Sequence, residues 1–210
     1  MRLHEAKRDL YRRLAKEQGY NSRAAFKLIE ANEKYGFIAR GDKVVDFGAA
    51  PGGWIQVASE LVGPGGLVVG VDIHAFSVKG KNIASLVMDV NDSRVPGRLL
   101  GLLGGRADVI ISDLSPTVTG VWELDQNRQV DLTLRVLELC SSVLKQDGWA
   151  FCKLFEGERS SEVRAAFKRG FATVRVVKPR ASRSASSELY YYCEGWRLGQ
   201  ALDDSPGRGA

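Results

Sequence analysis

Apolar positions along the chain fall into short runs that alternate with segments of helical periodicity. Runs rich in β-branched residues predict strands over residues 43–47, 67–72, 84–88, 108–113, 149–155, 172–178 and 188–194. Apolar residues at helical spacing predict the intervening helices over residues 53–62, 94–103, 125–145 and 160–169. This alternation is typical of an α/β fold with a doubly wound, mostly parallel sheet, and the last two strands are close enough for a hairpin.

Two more helices are predicted before the first strand. Residues 4–18 are mostly charged with one thin apolar edge, as in a surface helix. Ser22 is a candidate N-cap for a second helix that runs through Tyr35 and ends at Gly36. We expect one domain that includes this basic helical extension, because 210 residues are too few for two well-buried domains. Its predicted bounds are 1–197 for the domain, 1–36 for the extension and 198–210 for a disordered tail.

One glycine-rich turn carries the strongest chemical signal. The stretch VVDFGAAPGGW, residues 44–54, runs from a buried strand through glycines into a helix. Glycines allow a tight bend and the close approach of backbone to a ligand, although many such turns serve packing alone. The next apolar run ends in Asp72, and an acid at that position suits a ribose diol. The pattern favours an adenosyl cofactor, and the NAD fingerprint GxGxxG is not present.

The net charge of +5 is unevenly distributed. Residues 1–27 hold eight Lys and Arg against three acids, and residues 163–187 hold seven with no acid, so the remainder is net acidic. Two basic segments beside a ligand site indicate a face that meets a polyanion, while solvated surfaces are the alternative. The candidate contacts with such a polyanion are Arg8, Arg12, Arg13, Arg23, Arg180 and Arg183.

Cysteine and histidine usage argues against a metal site. Three cysteines lie far apart in apolar runs, which predicts reduced core thiols. With two histidines and no CxxC, we expect no zinc or similar centre. The sequence has no apolar stretch of membrane-spanning length and no signal-peptide pattern, so we expect a cytoplasmic protein without a membrane partner.

Five sequence blocks, in order and well spaced, carry a family resemblance. The blocks are SRAAFKL (22–28), DFGAAPGGW (46–54), SDLSP (112–116), KLFEGE (153–158) and KPRASRSASSE (178–188). In these five blocks the chain resembles the FtsJ (RrmJ/RlmE) family of S-adenosylmethionine-dependent RNA ribose 2′-O-methyltransferases. The resemblance implies the Rossmann-like class I methyltransferase fold, with a seven-stranded sheet and an antiparallel C-terminal strand. It also implies S-adenosyl-L-methionine as cofactor, RNA as partner and a monomeric protein.

The resemblance also assigns site residues by position. The family's catalytic set corresponds to Lys27, Asp113, Lys153 and Glu188. Its cofactor contacts correspond to Gly52, Trp54, Asp72, Asp89 and Asp113, with core packing as the alternative for Trp54.

The residues themselves leave the role of Lys153 open. This lysine lies inside the apolar strand FCKLF, so it has either a paired structural role or a catalytic one. As a neutral amine it would be the general base, and as an ammonium it would orient the hydroxyl and stabilise developing alkoxide. Asp113 is followed by Leu-Ser-Pro, whereas amino-methylating enzymes of this class often have Asn/Asp-Pro-Pro-aromatic, so a base amine is a poor candidate target.

Within the family, the expected target is a uridine in the peptidyl-transferase loop of large-subunit ribosomal RNA. A ribose in the anticodon loop of transfer RNA is the alternative target. A non-catalytic RNA-binding assembly factor and a small-molecule methyltransferase are further alternatives. The complete catalytic set argues against the former, and the two basic segments argue against the latter.

Overall fold

The computed structural model describes residues 3–182, 186–197 and 199, with side chains described from residue 10 onward. Seven strands form one sheet in the order β3-β2-β1-β4-β5-β7-β6. All neighbouring strands are parallel except β7, which is antiparallel to β5 and β6. The predicted doubly wound fold with an antiparallel C-terminal strand is therefore confirmed. The strands are β1 Lys43–Phe47, β2 Leu67–Asp72, β3 Ile83–Val87, β4 Ala107–Ser112, β5 Leu144–Phe155, β6 Phe171–Val177 and β7 Glu188–Trp196.

Helices cover both faces of the sheet. They are α1 Leu3–Glu17, α2 Ala25–Tyr35, α3 Gly53–Val62, α4 Val95–Leu103, α5 Trp122–Val143 and α6 Ser160–Gly170. Successive strand residues point to opposite faces, so Val44 packs with α2 and α3 while Val45 packs with α4, α5 and α6. The central strands β1, β2 and β4 are buried on both sides, which explains their nearly continuous apolar runs.

Several element boundaries differ from the sequence prediction. Helix α2 begins at Ala25 rather than after Ser22, and its N-cap makes no side-chain hydrogen bond. The predicted stop at Gly36 is confirmed, with φ of 63°. Strand β5 begins at Leu144, five residues early, because Leu144 pairs with Ala107 before the register between the two strands shifts. Helix α5 accordingly ends two residues before the predicted boundary.

The remaining predictions about organisation have mixed outcomes. Cys140, Cys152 and Cys193 are buried and free, as predicted. No helix in the described part of the chain is both long and apolar enough to cross a membrane. The single-domain division stays a prediction, and apart from Gly199 the predicted tail lies outside the described residues.

Candidate active site

A cleft of about 390 Å³ opens at the carboxyl ends of the parallel strands. We call it the strand-end cleft. It lies where the strand order reverses, between β1 and β4, with β2 and β3 on one side. Crevices at such switch points are the usual ligand sites of open α/β sheets. Asp72, at the end of β2, and Gly48, Asp89 and Asp113, in the loops after β1, β3 and β4, contribute to its wall.

The strand-end cleft combines carboxylates with apolar side chains. Asp72 Oδ2 accepts a hydrogen bond from the Ala50 amide at 3.0 Å, and Asp72 Oδ1 accepts from the His74 amide at 2.8 Å. Asp89 Oδ1 accepts from the Asn91 amide at 2.9 Å. These bonds hold both acids at the wall. The apolar part of the lining consists of Ile73, Met88, Val90, Leu114 and Leu132.

Two predicted cofactor contacts are not among the residues that line this cleft. Trp54 is 3% exposed, donates from its indole to the Ala24 carbonyl at 2.8 Å and stacks near Phe151. Gly52 packs beside Asn21, where a Cβ would come within 2.8 Å of the amide nitrogen. The geometry of Trp54 matches the core-packing alternative.

Gly48, one of the glycines of the predicted turn, lines the strand-end cleft. Its φ is 82°, and an added Cβ would lie 2.8 Å from the backbone nitrogen of Leu114. A side chain there would push the β1 and β4 loops apart. Gly48 is the first glycine after β1 in the glycine-rich turn, and this position in the motif predicts such a close approach of backbone.

The four residues that the resemblance proposes as catalytic form one group of two buried lysines and two partly buried acids, the lysine–carboxylate cluster (Lys27, Asp113, Lys153 and Glu188). Lys27 Nζ lies 2.8 Å from Glu188 Oε1 and 3.9 Å from Asp113 Oδ1. Lys153 Nζ lies 3.2 Å from Asp113 Oδ1 and donates to the Asp113 carbonyl at 2.6 Å. The lysines are only 7% and 6% exposed, so each ammonium depends on these oxygens rather than on water.

Tyr190 stands at the centre of the lysine–carboxylate cluster and was missed by the sequence analysis. Its hydroxyl accepts from Lys27 Nζ at 2.9 Å and donates to Asp113 Oδ1 at 2.7 Å. Tyr190 pairs with Lys153 in the β5–β7 register, and opposite residues of an antiparallel pair share a face. Within the run LYYYC it resembles an ordinary core residue, so only the strand register reveals its position.

The cluster fixes the charge of its central carboxylate. Burial alone would raise the pKa of Asp113, but the ammonium groups of Lys153 and Lys27 and the hydrogen bond from Tyr190 bring the pKa below its ordinary value. Burial, followed by the charges of Asp113 and Glu188, raises the pKa of Tyr190 well above its ordinary value. The tyrosine therefore keeps its proton and donates to an ionised Asp113.

A second acid near the same edge of the sheet differs from Asp113 in its hydrogen bonds and in the direction of its pKa shift. Asp46, in β1, is fully buried, and neither of its carboxyl oxygens has a hydrogen-bond partner in the described part of the structure. Burial, and then the charges of Asp113 and Asp72, raise the pKa of Asp46 well above its ordinary value. Burial and the nearby acids therefore favour the neutral form of Asp46.

A second cavity, of about 240 Å³, lies on the other side of the lysine–carboxylate cluster. We call it the lysine pocket. Ser115 lines both the lysine pocket and the strand-end cleft. Asp113 faces the cleft, while Lys27 and Glu188 face the lysine pocket, so the cluster connects the two cavities. The lysine pocket is lined by Arg23, Lys27, Ser115, Phe155, Ser186 and Glu188.

The candidate RNA contacts occupy several different places. Arg12 and Arg13 are exposed on α1, and Arg13 Nε lies 3.6 Å from Glu17. Arg180 is exposed, and its backbone amide donates to Glu30 Oε2 at 2.7 Å. Arg23 lines the lysine pocket. Two candidates cannot be placed, because the Arg8 side chain and the whole of Arg183 lie outside the described residues.

No group of three or more His, Cys, Asp or Glu side chains among the described residues could hold a metal ion.

Comparison with known proteins identifies the family. The model of the FtsJ-like methyltransferases matches residues 20–196. The chain belongs to this family. It is 43% identical over 189 residues to ribosomal RNA large subunit methyltransferase E of Methanothermobacter thermautotrophicus, covering 89% of each chain. It is also 43% identical over 197 residues to the protein of that name from Cenarchaeum symbiosum, covering 94% of this chain and 100% of the relative.

Solved structures show the same fold. A Plasmodium falciparum protein, provisionally described as a ribosomal RNA methyltransferase, superposes with a TM-score of 0.76 at 25% identity, covering 84% of this chain and 98% of that one. Aeropyrum pernix fibrillarin, crystallised with natively bound S-adenosyl-L-methionine, gives a TM-score of 0.57 at 16% identity, over 82% of this chain and 75% of that one. The family resemblance expected from the five sequence blocks is confirmed.

Proposed function

We propose that this protein is an S-adenosylmethionine-dependent RNA ribose 2′-O-methyltransferase. Its proposed target is a uridine in the peptidyl-transferase loop of large-subunit ribosomal RNA. The observation that carries the proposal is the lysine–carboxylate cluster, which connects a cleft suited to a cofactor with a pocket suited to a methyl acceptor. The relatives named ribosomal RNA large subunit methyltransferase E support the choice of RNA.

The strand-end cleft has the composition that S-adenosyl-L-methionine requires. Its volume of about 390 Å³ falls within the usual range for small-molecule sites. Asp72 and Asp89 would accept hydrogen bonds from the ribose hydroxyls and polar groups, and Ile73 and Leu114 would contact the adenine. When bound, the cofactor supplies an electrophilic methyl group on a cationic sulfur. The neighbouring anion, Asp113, favours a cation at this edge of the cleft.

The lysine pocket is suited to hold the acceptor ribose. A 2′-hydroxyl is a weak nucleophile, so most of the rate should come from holding its oxygen in line with the methyl group. Lys27 is fixed by Glu188 and Tyr190, and Lys153 is fixed by two oxygens of Asp113. Lys153 would take the hydroxyl proton as a base, or orient the hydroxyl and stabilise the alkoxide as a cation.

Positive charge around the pocket favours RNA over a small acceptor. Arg23 lines the lysine pocket itself, and Arg12, Arg13 and Arg180 present exposed guanidinium groups elsewhere on the surface. Arginine pairs well with phosphate because its planar fork presents several donors.

A mapping experiment tests the proposal. Ribose 2′-O-methyl groups would be mapped in ribosomal and transfer RNA from cells that lack the gene, then after return of the wild-type protein or of Lys153→Ala. We expect one missing methyl group on a peptidyl-transferase-loop uridine, restored by the wild type and not by the variant. If the missing methyl group belonged to a transfer-RNA anticodon loop, transfer RNA would replace ribosomal RNA as the proposed substrate. Unchanged methylation of all RNA would overturn the proposal.

A further inference from the structure

Two aromatic side chains form a pair beside the lysine pocket. Trp122, the first residue of α5, stacks on Phe155 with ring centroids 6.1 Å apart and an interplanar angle of 26°. Phe155 lines the lysine pocket, so the pair begins at the pocket wall. Trp122 is nevertheless 51% exposed. We call Trp122 and Phe155 the aromatic platform.

The segment that carries Trp122 is held in place by hydrogen bonds to a buried acid. Asp125 Oδ1 accepts from the Thr119 amide and from its hydroxyl, each at 2.8 Å, and Asp125 Oδ2 accepts from the Gly120 amide at 3.2 Å. Asp125 is only 4% exposed. The segment is thus ordered by the protein itself, yet it keeps a large indole half in water. A fixed apolar surface of this kind is typical of a binding site.

We propose that the aromatic platform stacks an unpaired nucleobase of the RNA substrate, next to the nucleotide whose ribose enters the lysine pocket. This inference rests on the proposed function and adds the recognition element for the flanking base. Every base has a π face, and stacking on aromatic side chains is the common way in which proteins hold splayed-out RNA bases. The base must be unpaired because a duplex already stacks both of its faces.

Charge and continuity select RNA as the occupant. Arg23 lines the same pocket as Phe155, which places a guanidinium within the pocket that the platform borders. Aromatic rings beside a positively charged groove match the sites that bind single-stranded nucleic acid. The lysine pocket and the platform share Phe155, so an RNA strand whose ribose occupies the pocket would pass directly over the platform.

The test measures binding without turnover. Affinity would be measured in the absence of cofactor for a single-stranded oligouridylate of about ten nucleotides and for an abasic ribose-phosphate strand of the same length. We expect Trp122→Ala to weaken binding of the oligouridylate roughly 5- to 150-fold. Trp122→Phe should recover part of this loss, and the abasic strand should bind all proteins equally. Val118→Ala is the matched control, because Val118 is an exposed apolar residue on the same segment outside the ring pair.

Tryptophan fluorescence gives a second readout. Trp54 and Trp196 are buried and Trp149 is half-buried, whereas Trp122 is exposed beside the pocket, so the part of the response to oligouridylate that disappears in Trp122→Ala reports on the platform. Equal affinity of wild type and Trp122→Ala for the oligouridylate would overturn the inference. If Trp122→Ala changed the oligomeric state but not the RNA affinity, the inference would also be overturned, and Trp122 would be assigned to self-association. If the wild type methylates no RNA but Trp122→Ala still loses binding, then the proposed function fails and the platform stands.

Discussion

Two carboxyl groups near the ends of neighbouring strands, Asp46 in β1 and Asp113 after β4, have pKa values that shift in opposite directions. Burial acts in the same direction on both, and it would raise the pKa of each. Asp113 has two ammonium groups and the Tyr190 hydroxyl around it, which bring its pKa below the ordinary value. The charges that act on Asp46 in the described part of the chain come from other acids, Asp113 and Asp72, and its pKa is well above the ordinary value.

The comparison shows that neighbours rather than depth decide which acid carries charge. Asp113 holds a negative charge where two lysines have to be positioned, whereas burial and the nearby acids favour the neutral form of Asp46. The two are also coupled, because the charge of Asp113 is one cause of the raised pKa of Asp46. Substitutions that remove the partners of Asp113 should therefore bring the pKa values of the two acids closer together.

The largest expected effect comes from breaking the pairing of Asp113 with Lys153. Lys153→Ala should lower turnover by about 10²- to 10⁴-fold, the usual contribution of a group that transfers a proton. Cofactor and RNA affinity should change little, because an interaction made only in the transition state lowers kcat and kcat/KM together. Steady-state kinetics and equilibrium binding check both parts, and wild-type turnover in a folded variant would contradict the assignment.

Arginine at the same position separates the two roles of Lys153. Lys153→Arg keeps the charge next to Asp113 but cannot release its proton. We expect it to be as inactive as Lys153→Ala if the lysine is the base, and partly active if the lysine only orients the hydroxyl. A pH–rate profile that is unaltered in Lys153→Arg, together with a near-normal rate, would place the base elsewhere.

The second prediction concerns the stability of Asp46→Asn relative to wild type and how it depends on pH. The folded pKa of Asp46 is raised, so its favourable contribution is complete below the ordinary carboxyl pKa and is lost as pH rises toward the folded pKa. Asp46→Asn does not titrate. Its stability relative to wild type should therefore increase with pH across that window, by at most about 1.4 kcal/mol per pH unit.

The matched control for Asp46→Asn is Asp113→Asn, for which the sign reverses. The folded pKa of Asp113 is lowered, so its contribution is present above the ordinary carboxyl pKa and is lost as pH falls through the folded pKa. Relative to wild type, Asp113→Asn should lose stability as pH rises through that acid window. Urea unfolding across pH would measure both variants, and slopes of the same sign would show that the two acids do not differ as described.

The sequence predicts those features of this site that depend on neighbouring residues in the chain, and it does not predict those that depend on how distant segments pack together. The strand and helix order follows from periodicity, and Lys153 and Glu188 stand out because each lies in a recognisable block. Tyr190 does not, because its contact with Asp113 depends on the register between β5 and β7. The burial of Trp54 against the Ala24 carbonyl likewise depends on how α2 packs on α3. The state of Asp46 depends on which charges the fold brings near it, which no local pattern records.

The third effect probes the other anion that acts on Asp46. Asp72→Ala should cost about 1.5 to 3 kcal/mol of S-adenosyl-L-methionine affinity, because it removes a charged hydrogen-bond acceptor from the strand-end cleft. It should also lower the pKa of Asp46, since the charge of Asp72 helps to raise it. Titration calorimetry measures the first effect. Wild-type affinity in a variant with an unchanged circular-dichroism spectrum would remove Asp72 from the cofactor site.

The smallest effect removes a single oxygen from around Asp113. Tyr190→Phe keeps the ring that stacks on Phe151 at 4.8 Å but deletes the hydroxyl between Lys27 and Asp113. We expect a loss of about 1 to 3 kcal/mol of unfolding free energy near neutral pH. The pKa of Asp113 should rise toward its ordinary value, so part of the loss should vanish as pH falls through the folded pKa of the wild type. A loss of the same size at every pH would mean that Tyr190 contributes packing alone, and that the two lysines suffice to keep Asp113 unlike Asp46.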